Sequence, residues 1–144
     1  MGFNRVIRMA VSFAAMAAVA FVAGCGSDEE EGEPEVETMR LVIGATTVNI
    51  NAACVAVPAS VTIPAAGAQM TASFLKADGT PETLVTDTEF EIRIEPAGRF
   101  TRASAFAGTI TGGAAGSAQL SFELFHKVEQ HEDFGPCSLT VIVQ

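Results

Sequence analysis

Between Glu89 and Glu95 apolar and charged residues alternate without a fault, Phe90, Ile92 and Ile94 falling on one side and Glu89, Glu91, Arg93 and Glu95 on the other. A strand, whose side chains repeat every two residues, separates these sets into a buried face and a wet one. The same alternation places Met70, Ala72 and Phe74 inward in Gln69–Leu75, and Leu120, Phe122 and Leu124 inward in Gln119–Lys127. Fainter stretches are Arg40–Ile43, Thr46–Cys54, Ser60–Ile63, Arg99–Ile110 with a break near Ala103, and Cys137–Val143. Turn residues separate them: Asp78-Gly79 with Pro81, Pro96 to Gly98, and Thr111 to Gly116. Roughly seven to nine strands and no convincing helix predict an antiparallel β domain from Met39 to the end of the sequence.

Ahead of this domain the chain changes character. Met1 to Arg8 is a short basic start, and Met9 to Ala23 is an uncharged run of 15 residues. These match the n-region and h-region of a secretory signal, and the run falls short of the about 20 apolar residues a spanning helix wants. The tetrapeptide Val22-Ala23-Gly24-Cys25 resembles the lipobox of bacterial lipoproteins. The resemblance implies cleavage after Gly24 and a thioether-linked lipid on Cys25, whose thiolate is the nucleophile such a linkage needs. Its acyl chains, of palmitate type, would anchor the protein to a membrane. The alternative is an uncleaved anchor helix with an incidental cysteine. In enterobacterial lipoproteins an aspartate directly after the cysteine favours retention in the inner membrane; Gly26 therefore points toward the outer membrane.

From Gly26 to Thr38 the chain carries Asp28, Glu29, Glu30, Glu31, Glu33, Glu35 and Glu37, with no basic residue and no apolar period. Residues 25–38 therefore read as a lipidated cysteine and a disordered acidic tether, able to hold the domain up to roughly 40 Å from a bilayer. A calcium site in this run would need a tight turn to converge its ligands, and nothing supplies one. Without the leader, six basic residues remain against 17 acidic ones, a formal charge of −11. Nucleic acid is excluded as a partner class, and no Lys/Arg cluster assists membrane attachment.

About 105 residues with this many strands fit a two-sheet sandwich, with a small barrel as the alternative. The stretch Gly67 to Pro81, in which Thr71-Ala72-Ser73-Phe74 runs into Lys76-Ala77-Asp78-Gly79-Thr80-Pro81, resembles bacterial immunoglobulin-like domains. It implies an all-β fold: a single antiparallel β-sandwich, immunoglobulin-like, over residues 39–144. With no Trp or Tyr in the chain, the core is expected to rest on Phe74, Phe90, Phe100, Phe106 and Phe122. If Cys25 is lipidated as the lipobox implies, the remaining cysteines, Cys54 and Cys137, form one pair in an oxidising compartment. Cys54 is in phase with Val48, Ile50 and Ala52, and Cys137 with Leu139, Val141 and Val143, so both thiols are expected to face inward. Two free buried thiols are the alternative.

Functional side chains concentrate in Phe125 to Pro136, a segment expected to link the last two strands, and it holds both histidines. With Glu129 nearby, the candidate metal set is His126, His131, Glu132 and Asp133, whose imidazoles favour zinc or copper over calcium. A plainer reading has His126, in phase with Leu120, Phe122 and Leu124, capping the core, and His131, Glu132 and Asp133 forming a solvated turn. No Gly-x-Ser-x-Gly elbow or His-Glu-x-x-His motif is present, and Thr109 to Gly116 reads as a flexible hairpin turn lacking the Lys-Ser/Thr ending of a phosphate loop. The sequence thus points to a non-catalytic, lipid-anchored envelope protein whose sandwich is a binding or structural module for another envelope component, a protein or glycan, with an extracytoplasmic zinc- or copper-binding lipoprotein as the second reading.

Overall fold

The computed structural model describes residues 32–144; the leader, the lipobox and Cys25 lie outside the described residues. Ten strands form two sheets. In chain order they are β1 (Thr38–Ile43), β2 (Thr46–Asn51), β3 (Ala56–Val57), β4 (Ser60–Ile63), β5 (Ala68–Leu75), β6 (Phe90–Glu95), β7 (Phe100–Ser104), β8 (Ala107–Ile110), β9 (Gly116–His126) and β10 (His131–Val143). The larger sheet runs β3-β2-β1-β5-β8-β7 and the smaller β4-β10-β9-β6. Every pairing is antiparallel except that of β4 with β10. The fold is an all-β sandwich. Among the described residues no helix is long and apolar enough to cross a membrane.

Alternation builds the core from both sheets. Met39, Leu41 and Ile43 of β1, Val48 and Ile50 of β2, and Met70 and Phe74 of β5 meet Phe90, Ile92 and Ile94 of β6, Leu120, Phe122 and Leu124 of β9, and Leu139, Val141 and Val143 of β10. Of the five phenylalanines expected inside, Phe74, Phe90 and Phe122 are buried. Phe100 and Phe106 are only half-buried, because β7 is an edge strand and Phe106 sits in the turn before β8. Phe106 still meets the Phe74 ring edge-on at 5.4 Å. Phe125, on the outer face of the small sheet, is buried beneath the Arg93 guanidinium, 3.1 Å from the ring centroid.

Several boundaries differ from the sequence reading, each for a local reason. The break expected near Ala103 is a register shift between Arg102 and Ser104, with the turn itself at Ala105-Phe106. Thr111 to Gly116 is not a hairpin turn: β8 and β9 belong to different sheets, and the segment carries the chain across. It is held there by close packing, since a Cβ on Gly112 would lie 2.2 Å from the Ala65 carbonyl oxygen. Residues assigned to the tether join the folded unit: Glu37 N donates to the Leu75 carbonyl at 2.9 Å and Glu35 N to Glu82 Oε2 at 3.0 Å.

Cys54 and Cys137 are joined by a disulfide, with Cα atoms 5.0 Å apart and a separation of 83 positions in sequence. Cys137 is buried as expected, whereas Cys54 is exposed. Strand β2 ends early because Asn51 captures the following amides: its Oδ1 accepts from Ala53 N at 3.1 Å and Val55 N at 2.9 Å. This turn puts Cys54 at φ +60° and breaks its phase with Val48 and Ile50. The bridge consequently links the turn after β2, in the large sheet, to β10 in the small one.

Candidate functional site

The segment expected as a long connection is a tight one. β9 continues to His126, β10 begins at His131, and only Lys127 to Gln130 turn between them, closed by Gln130 N donating to the His126 carbonyl at 2.8 Å. His131, Glu132 and Asp133 are therefore not a solvated turn. They open a 13-residue strand in which His131 pairs with His126 and Glu132 with Phe125.

Strand parity then sorts the candidate residues. His126 lies opposite Phe90 on one side and His131 on the other, so all three share the inward face at the open end of the sandwich. Asp133, two residues from His131, falls on that same face. It is also the extra residue of a bulge between Glu132 and Phe134, which lets Phe134 resume core packing. Glu132 points to the opposite face, where its charge together with burial pushes the Glu123 carboxyl up from its ordinary pKa, burial being the larger cause. Of the four residues expected as ligands, it alone lies away from the face that His126, His131 and Asp133 share. Glu129, on the turn, occupies the place assigned to it.

The resulting cluster is closely spaced. Glu129 Oε2 lies 2.7 Å from His131 Nε2 and 3.6 Å from His126 Nδ1. Asp133 Oδ1 lies 3.1 Å from His131 Nδ1, and Asp133 Oδ2 lies 3.9 Å from His126 Nδ1. The His126 ring stacks on Phe90 with centroids 4.4 Å apart, so the core-capping role and a site-facing Nδ1 coexist in one side chain. The hydrogen bond with Glu129 raises the His131 pKa and lowers that of Glu129. Burial is the largest influence on Asp133 and, reinforced by Glu129 and Glu33, raises its pKa against the lowering by His131 and His126. Asp133 Oδ2 is buried without a hydrogen-bond partner. One nitrogen from each histidine and a Glu129 oxygen lie within 4.8 Å of one another, a donor set able to hold a cation.

These groups line a cleft of about 440 Å³. Its opposite wall comes from Gly32 to Pro34 and from Thr83, Leu84 and Thr86. Buried Glu82 fastens both parts, accepting from Leu84 N at 3.0 Å through Oε1 and from Glu35 N at 3.0 Å through Oε2, with Lys76 Nζ 3.7 Å away. Sequence reasoning missed this residue, whose polar partners lie in segments without strand periodicity.

No family model, curated protein or solved structure matches this chain.

Burial opposes ionisation of Glu82, but the Leu84 and Glu35 amides and the Lys76 ammonium outweigh it and hold its pKa below the ordinary value. A depressed folded-state pKa means that stability is present above the unfolded value, about 4.3, and is lost as the pH falls through the folded one. Glu82→Gln is expected to lower the thermal midpoint at pH 7 and to narrow its difference from the unaltered chain below about pH 4. Thermal scans from pH 7 to 3 check this, and a difference constant across the range would refute it.

Proposed function

We propose that this chain is an exported lipoprotein of the cell envelope, anchored through Cys25, whose sandwich is a non-catalytic binding module taking its ligand in the cleft at the β9–β10 turn. The observation that carries the binding assignment is the convergence of both histidines, Glu129 and Asp133 on one wall of a concavity of about 440 Å³, at the end of a rigid two-sheet scaffold. Export is supported by the bridge between Cys54 and Cys137, a bond characteristic of oxidising compartments. Anchoring rests on Val22-Ala23-Gly24-Cys25, and the outer membrane is favoured by Gly26. The resemblance of Gly67 to Pro81 to bacterial immunoglobulin-like domains agrees with a module that presents a surface to an envelope protein or glycan.

Labelling with palmitate in a bacterial host tests the anchor. The full chain is expected to take up label and to fractionate with membranes, while Cys25→Ala is expected to lose both properties. Equal fractionation of the two proteins would refute the anchor. A photo-crosslinker at Val128, which lines the cleft and is 71% exposed, tests the binding site. It is expected to capture an envelope component in intact cells that a crosslinker at exposed Val57, outside the cleft, does not; identical capture from both positions would count against the cleft.

A further inference from the structure

We propose that His126 Nδ1, His131 Nε2 and the Glu129 carboxylate form a three-ligand centre for a divalent transition ion of the zinc and copper class, with the Glu132 carbonyl and the Asp133 carboxylate behind His131. The inference rests on reading the cleft as the binding site and names the ligand it takes.

Donor chemistry comes first. Two imidazoles and one carboxylate suit zinc or copper(II), whereas calcium and magnesium prefer all-oxygen shells. Both cysteines among the described residues are engaged in the disulfide, so the centre is built from nitrogen and oxygen alone. Glu129 Oε2 lies 3.6 Å from His126 Nδ1 and 2.7 Å from His131 Nε2, and one nitrogen of each histidine and a Glu129 oxygen lie within 4.8 Å of one another. Ligands about 2.0 to 2.2 Å from a tetrahedral ion lie about 3.3 to 3.6 Å apart, so the set needs adjustments of roughly 1 to 1.5 Å, opening the 2.7 Å contact of Glu129 with His131 and closing the wider separations, within reach of these two exposed side chains.

The environment of His131 is the second observation. Its Nδ1 is hydrogen-bonded to the Glu132 carbonyl at 3.4 Å with Asp133 Oδ1 beside it at 3.1 Å, while its Nε2 faces Glu129 Oε2 at 2.7 Å. An acceptor behind an imidazole, here the backbone carbonyl with the Asp133 charge beside it, keeps the proton on the rear nitrogen and leaves the front one free to ligate, the arrangement that orients histidines in metal centres. Asp133 also explains its own orphaned atom. Oδ2 is buried without a donor and lies 3.9 Å from His126 Nδ1, on the side where a bound cation would compensate it.

The third observation is rigidity. His126 and His131 are cross-strand partners on adjacent antiparallel strands, and the His126 ring is clamped against Phe90. Only Glu129 rides on the turn. Three protein ligands leave further coordination positions open into the cleft, where water or a donor from a partner would sit.

Titration calorimetry of the purified full chain with Zn²⁺, Cu²⁺ and Ca²⁺, followed by imidazole NMR, tests the centre. The expected result is one Zn²⁺ or Cu²⁺ per chain, no comparable Ca²⁺ binding, and Zn²⁺-dependent shifts at His126 Nδ1 and His131 Nε2. His131→Ala should weaken binding by at least about 100-fold and Asp133→Asn by about 10- to 100-fold, with Glu132→Gln unchanged. Because the His131 and Glu129 side chains are 46% and 57% exposed, their removal leaves the core intact; Glu129→Gln serves as the second ligand variant. No binding at millimolar ion, binding unaffected by His131→Ala, or equal affinity for Ca²⁺ would overturn the proposal. Absent metal binding alongside intact crosslinking from Val128 removes the ion and keeps the module, whereas loss of site-specific crosslinking with metal binding intact does the reverse.

Discussion

Phe122→Ala is expected to reduce the free energy of unfolding by about 3 to 5 kcal/mol, read as a lower urea midpoint with an unchanged slope. Phe122 is fully buried at the middle of β9, flanked in the sheet by Ile94 of β6 and Cys137 of β10. Truncation removes the transfer free energy of the ring and leaves a void that two hydrogen-bonded sheets cannot close without breaking register. Against a total stability of about 5 to 15 kcal/mol for a domain of this size, the loss is a large fraction. Val128→Ala, at a position 71% exposed, supplies the comparison and should stay within about 0.5 kcal/mol. A loss below about 1.5 kcal/mol for Phe122→Ala would mean that the core repacks or that β9 is not its centre.

The second large effect concerns the bridge between sheets. Cys54→Ser is expected to cost about 2 to 5 kcal/mol, since it opens a bridge across 83 positions of the unfolded chain; chain entropy alone accounts for about 4.5 kcal/mol. Cys54 is the better half to replace. It is exposed in a turn, so serine removes the bond without opening a void, whereas truncating buried Cys137 would add a packing loss. The same decrease should follow when the oxidised protein is treated with a reductant, and the reductant should have no effect on Cys54→Ser. Equal urea midpoints for oxidised and reduced protein would show that the sandwich does not depend on the bridge.

Glu82 and the β9–β10 turn act on the same cleft from opposite sides. The β9–β10 hairpin carries the groups proposed to ligate the ion, and Glu82 holds residues 32–34 and 83–86 in place as the facing wall. Loss of Glu82 should therefore loosen the cleft without touching the cluster of His126, Glu129, His131 and Asp133. Measured metal affinity in Glu82→Gln should stay close to that of the unaltered chain while hydrogen exchange at Glu35 and Leu84 rises.

Period-two alternation in Phe90 to Glu95, Met70 to Phe74 and Leu120 to Leu124 determined by itself that the domain is all-β, and which faces of these strands are buried. That pattern is local, so it survives without knowledge of partners. The cysteine count, joined to the lipobox resemblance, also led to the pair that is bridged. What strand parity could have told, and the segment's reading as a loop concealed, is that His131 and Asp133 share a face that Glu132 does not. The tertiary structure alone decided the rest. The smaller sheet had to pair β9 with β10 and β6 before Phe90, His126 and His131 became neighbours, and a four-residue turn had to bring Glu129 between the rings. The end of β2 at Asn51, the exposure of Cys54 and the burial of Glu82 depend on hydrogen bonds that no hydrophobic period records. A sequence carries its strands as patterns, but a site made from the ends of several strands exists only once long-range pairing has set their register.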